Sequence, residues 1–212
     1  MKQLLIITGP QGSGNHLWSK VFAHTPNVQG WEGLKDQYWI THQYEPMHEI
    51  WEDPKLFFTT EFPNDFYVTS ISCPYTHSIP NLSKGDGGFT PNYKAFIECA
   101  KLKGFLVKVA IIGRDENILE FQQTRVRKQH TVPWFKDEAL PVLIEYNPHF
   151  ISTELLFLYR EKYLNHLSKM LDFPIQVEQS VLDTILKDNT NKKYLNTVDT
   201  YWLDDHMNRL YK

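Results

Sequence analysis

The chain has 212 residues, of which 42% are hydrophobic, 14% aromatic and 22% charged; it is long enough to bury a sizeable core and too rich in aromatic groups for general disorder. Its formal net charge of −3 at pH 7 argues against a broad nucleic-acid-binding face, and no apolar run approaches the ~20 residues of a membrane span. Two cysteines, Cys73 and Cys99, make no disulfide framework, so a reduced, cytoplasmic setting is the simpler expectation.

Residues 4–8 form a branched apolar run that predicts a fully buried strand of the kind found in parallel sheets. The run is too short for a signal peptide and leads into Gly9 and Pro10. Leu17, Val21 and Phe22 then recur with helical spacing, so the chain opens as strand, glycine-rich turn and helix. Residues 26–66 are dense in Trp, Tyr, His and Pro with poor periodicity, which predicts irregular structure or short helices forming a cap or pocket wall. A second strand is expected over 66–72, a loop over 83–91, and a helix over 93–103 with Ala95, Phe96, Cys99 and Ala100 on one side. A strand over 105–113, a helix over 117–129 and a further strand over 142–146 follow. Residues 153–171 predict an amphipathic helix presenting Leu156, Tyr159, Tyr163, Leu167 and Met170 on one face, capped by Ser152 or Thr153. The tail from Asp188 is polar and then aromatic, and is expected to close over the site or pack on the sheet.

Strands alternating with helices imply right-handed βαβ units. The expected fold is α/β: a single domain over 1–212, a three-layer sandwich with a mostly parallel central sheet, P-loop NTPase-like. Ligands in such sheets bind beyond the carboxyl ends of the strands. Gly9 to His16 (GPQGSGNH) and the turn after Gly113 both lie at such ends. Gly9 and Gly14 have the G-x-x-x-x-G spacing of a P-loop, and Gly12 and Gly14 let main chain approach an anion closely. Successive amides in such a turn form an anion nest, and the following helix adds its free N–H groups and positive dipole end. The Lys and Ser/Thr that complete a nucleoside-triphosphate P-loop are replaced by Asn15 and His16. Both donate hydrogen bonds, but neither supplies a permanent charge or a magnesium-binding hydroxyl.

Arg114 stands just past the strand over 105–113, where a guanidinium grips a phosphate bidentately. Gln122, Thr124, Arg125 and Arg127 lie on the next helix, and His77 follows the second strand. Taken in order, these features resemble the sulfotransferase family. Ser13-Gly14-Asn15-His16 is similar to the S-G-T-T part of its phosphosulfate loop. Thr76-His77-Ser78-Ile79-Pro80 is similar to its T-H-x-P segment with one residue inserted, Gly113-Arg114-Asp115-Glu116 to its R-[DN]-P strand end, and Glu154-Leu155-Leu156 to its Y-E-x-L helix start. The chain departs from the family at Gly12, where Lys or Arg is usual, at Gln122 in place of a serine, and at Glu116 in place of a proline. Lys192-Lys193 stands for the late basic loop, without its glycine.

The resemblance implies sulfuryl transfer from 3′-phosphoadenosine-5′-phosphosulfate, as co-substrate, to a hydroxyl or amine of an unknown acceptor, with no metal. It implies His77 as base, with His42 or Glu32 next, and His16 assisting the leaving phosphate. Gly12, Ser13, Gly14, Asn15, His16, Arg114, Gln122, Lys192 and Lys193 are the expected cofactor-binding residues. Each has a plainer reading: Arg114 pairs with Asp115 or Glu116 at the surface, and Arg125, Arg127 and Lys128 form a solvated face. The aromatic stretch from Trp31 to Trp51 is either an acceptor pocket or core. His42, Glu45, His48 and Glu49 lack the spacing of a metal motif. Two rival functions remain in view, a small-molecule or nucleotide kinase with a degenerate P-loop and a non-catalytic nucleotide-binding P-loop domain.

Overall fold

The computed structural model describes residues 1–31, 46–75, 90–127 and 130–187. The branched run at the start forms β1 (Gln3–Pro10), buried from Leu4 onward. It lies between β3 (Phe66–Cys73) and β4 (Leu106–Gly113), with β2 (Val28–Gln29) and β5 (His149–Ser152) at the two edges. Every strand pair is parallel, in the order β2-β3-β1-β4-β5.

Strand alternation divides the apolar residues between two cores. Leu4 and Ile6 join Trp51, Phe57, Phe96 and Leu143 on one face; Leu5 and Ile7 join Trp18, Phe22, Leu156 and Leu182 on the other. The first face is covered by α2 (His48–Glu52), α3 (Tyr93–Leu102) and α6 (Leu140–Ile144). The second is covered by α1 (Asn15–Ala23), α7 (Thr153–Leu171) and α8 (Gln179–Lys187). This is the expected three-layer α/β sandwich, with a fully parallel sheet. No helix among the described residues is long and apolar enough to cross a membrane.

Two expectations are corrected. Residues 142–146 are not a strand: Leu140–Ile144 is helical and continues without a break from the wider helical turn Phe135–Ala139. The strand of that region is His149–Ser152, paired in register with 110–113 of β4. Its position at the sheet edge leaves Phe150 61% exposed, so it lacks the apolar run of a buried strand. On α7 the expected face loses Tyr159, which is 58% exposed beside Arg160, where the backbone leaves the helical region (φ 49°, ψ −123°). Leu164 and Leu171 are buried on that helix instead. Of the two readings left open for the aromatic stretch, Trp51 takes the core one: it stacks on Phe96 with ring centroids 3.6 Å apart, and its Nε1 donates to Thr69 Oγ1 at 3.0 Å.

Both cysteines are unbridged. Burial pushes the Cys73 thiol up to about 12, and Cys99 is only partly covered. Since the thiolate is the nucleophile, iodoacetamide at pH 8 is expected to label Cys99 and spare Cys73 in the folded chain, as read by mass spectrometry. Equal labelling would contradict this packing.

Candidate functional site

The chain leaves β1 to build β2 and β3 on one side, then returns to place β4 and β5 on the other. The carboxyl end of β1 is therefore the topological switch point, where open parallel sheets form a ligand crevice. Loop 11–14 opens there and runs directly into α1. Gly113 and Ser152, the last residues of β4 and β5, pair beside it.

Each carbonyl from Pro10 to Gly14 has a donor. Ser13 N–H donates to the Pro10 carbonyl at 3.1 Å, and Trp18 N–H to the Gly14 carbonyl at 3.0 Å. Gln123 Nε2, from α4 (Glu116–Arg127), donates to the Gln11 carbonyl at 2.6 Å. Arg114 Nη1 donates to the Gly12 carbonyl and to Gln122 Oε1. Thr153 Oγ1, at the start of α7, donates to the Ser13 carbonyl at 3.0 Å and accepts from Trp18 Nε1 at 3.3 Å.

A trans peptide unit points its N–H opposite to its C=O. The Gln11 and Ser13 carbonyls, held by Gln123 and Thr153, therefore turn the Gly12 and Gly14 amides to the opposite side of their peptide planes. The Ser13 amide is used within the loop, but those of Gly12, Gly14 and Asn15 meet no acceptor among the described residues. Gly12 (φ 86°) and Gly14 (φ 118°) hold the left-handed backbone that makes this turn possible. Gly14 is the N-cap of α1 and offers no side chain to cap it; the first turn of α1 carries no acidic residue. The amides and the positive dipole end of α1 thus lie together without a counter-charge among the described residues of that turn, which is the chemistry of an anion seat. The buried Ser13 hydroxyl and Asn15 Oδ1 also lack a hydrogen-bond partner among the described residues. Ser13 Oγ lies against Gly9, 2.7 Å from where a Cβ on that glycine would stand.

Asp115 Oδ1 accepts from Ile118 N–H at 3.0 Å as a cap of α4, and Glu116 pairs with Lys136 at 2.7 Å. Glu154 Oε1 accepts the Asp115 N–H at 3.1 Å. His16 lies on the first turn of α1, with its ring edge-on to Trp31 at 5.1 Å. The loop, Arg114 and Gln122 therefore meet at one point, with His16 on the adjoining helical turn. His77, His42, Glu32, Glu45, Lys128, Lys192 and Lys193 lie outside the described residues, as do the side chains of Arg125 and Arg127.

Sequence reasoning missed Gln123, Thr131 and Thr153. For Gln123 the signal was its spacing. It falls four residues after Leu119, on the buried stripe of α4, where an amide without a partner would be costly.

No family model and no curated protein matches the sequence. Among solved structures, a mouse sulfotransferase complexed with PAP is similar, with a TM-score of 0.42 and 16% identity over 88% of this chain. The match spans 64% of that chain's length.

Proposed function

We propose that this chain is a sulfotransferase-like enzyme that moves a sulfuryl group from 3′-phosphoadenosine-5′-phosphosulfate to a hydroxyl or amine of an acceptor. The observation that carries the reading is the loop after β1, whose Gln11, Gly12 and Ser13 carbonyls are held by Gln123, Arg114 and Thr153 while the Gly12, Gly14 and Asn15 amides at the start of α1 meet no acceptor among the described residues. The residues fit the phosphosulfate end of that nucleotide. The Gly12, Gly14 and Asn15 amides supply donors for an anion, and the Ser13 hydroxyl, buried against Gly9, has no partner among the described residues. When bound, the nucleotide supplies the sulfuryl group and a phosphate as leaving group.

The residues of this chain bind and orient it. Arg114, reaching across from the end of β4, brings to Gly12 the charge that a loop lysine would otherwise supply, and Gln122 holds its guanidinium. His16 is assigned to the leaving phosphate and His77 to the proton of the acceptor, roles that rest on the sequence resemblance. Lys192 and Lys193 are assigned to the second phosphate on the same ground. Asn15 and His16, standing where magnesium-triphosphate sites carry Lys and Ser/Thr, weigh against phosphoryl transfer.

Thermal denaturation with ligands tests the proposal, because a ligand selective for the folded state contributes about 2.7 kcal/mol at one hundred times its Kd. Adenosine 3′,5′-bisphosphate is expected to raise the melting temperature without magnesium, and Arg114→Ala to weaken its binding at least tenfold, about 1.4 kcal/mol. A magnesium-dependent shift with ATP alone would point to a kinase, and no shift with either to a non-catalytic domain. Unchanged affinity in Arg114→Ala would remove that residue from the site.

A further inference from the structure

Resting on the anion seat described above, we propose that Gln123 is a positioning residue that aims the Gly12 amide into it, through a buried amide–hydroxyl ring with Gln11 and Thr131. Gln123 is 0% exposed, Thr131 1% and Gln11 2%. Besides the Gln11 carbonyl, Gln123 Nε2 donates to Thr131 Oγ1 at 2.7 Å, and Gln123 Oε1 accepts the Thr131 N–H at 2.8 Å. The ring closes where Gln11 N–H donates to Thr131 Oγ1 at 3.2 Å. The Gln11 side chain continues the chain of bonds, its Nε2 donating to the Pro74 carbonyl at 2.7 Å, just beyond β3.

The consequence is geometric. The Gln11 carbonyl and the Gly12 N–H belong to one planar peptide unit and point in opposite directions. Gly12 has no side chain to fix that plane, so the plane is set by what holds the carbonyl. Gln123 holds it from α4, and the Gln11 side chain ties the same residue to the exit of β3. The orientation of this loop amide is thus decided by residues that do not face the ligand. A carboxamide suits the task because it donates twice and accepts once at this position. Neither a carboxylate nor a thioether donates to the Gln11 carbonyl.

The test compares Gln123→Glu and Gln123→Met with the wild-type chain in two readouts. One is amide hydrogen exchange resolved at Gly12 and along β1 and β4 in chains saturated with inorganic pyrophosphate, where the Gly12 N–H gains an acceptor; the other is the Kd of inorganic pyrophosphate and of adenosine 3′,5′-bisphosphate by calorimetry. The expected result is Gly12 exchange at least tenfold faster and anion binding at least tenfold weaker, with the strand amides as protected as before. Gly12 exchange and affinity within twofold of wild type would overturn the proposal. If neither variant folds, Thr131→Val and Thr131→Ser decide it. Loss with valine and recovery with serine, which keeps the hydroxyl, is expected, and equal behaviour of the two would overturn it. A wild-type chain that binds pyrophosphate but not the bisphosphate would defeat the nucleotide reading and leave Gln123 in place. If the wild type binds neither, the anion seat itself fails and the proposal is overturned with it.

Discussion

Gly14→Ala is expected to weaken adenosine 3′,5′-bisphosphate binding about a hundredfold while costing roughly 2 kcal/mol of folding stability. Gly14 has φ 118°, a backbone conformation that a side chain strains wherever there is room, and here there is little. An added Cβ would stand 3.2 Å from Thr153 Oγ1, the hydroxyl that holds the Ser13 carbonyl. Relief by rotation of the loop turns that carbonyl, and with it the Gly14 amide, away from the seat. A hydrogen bond to a charged group contributes about 1.5–3 kcal/mol, so the loss of one or two such amides accounts for the expected fall in affinity. Urea denaturation and calorimetry on the same samples separate the two effects. Affinity unchanged in a folded Gly14→Ala chain would show that the anion does not sit on these amides.

Trp51→Ala is expected to do the reverse. Removing a buried indole costs about 4 kcal/mol, at the scale of large core truncations. At 2–4 °C per kcal/mol for a chain of this size, the melting temperature should fall by roughly 8–16 °C. Trp51 is 5% exposed, stacked on Phe96 and edge-on to Tyr93, and its Nε1 donates to Thr69 on β3. Trp51→Phe keeps most of the apolar contact and gives up the hydrogen bond, so about 1 kcal/mol is expected. Bisphosphate affinity of the folded fraction should stay within about twofold in both variants. A large change in affinity with little change in stability would return Trp51 to the pocket wall.

The local code for β1 was legible because a buried parallel strand is one unbroken apolar run, and residues 4–8 are that run. Strands β3 and β4 and the helix Tyr93–Leu102 also lie within a residue or two of where the pattern puts them, as does the start of the helix Glu116–Arg127; its expected end at 129 lies outside the described residues. Legibility failed where position in the sheet replaced pattern. Strand β5 sits at an edge with Phe150 outward, and its four residues carry no signal that the helix Leu140–Ile144 does not carry more strongly. The aromatic stretch was ambiguous for a related reason. An indole in a core and an indole on a pocket wall have the same composition, and only its neighbours, Phe96 and Thr69, tell them apart.

At the candidate site the division is sharper. Three glycines in six residues between a buried run and a helical repeat were enough, by themselves, to determine a tight turn whose main chain lies open to close approach, because only glycine holds a positive φ without strain. Which way that main chain faces was decided by the tertiary structure alone. The peptide planes are set by Gln123 from α4, Arg114 from β4 and Thr153 from α7, which reach carbonyls more than 100 residues away along the chain. Hydrogen bonds between residues so distant in sequence leave no periodicity to read, since they exist only once the sheet has brought four strand ends to one edge.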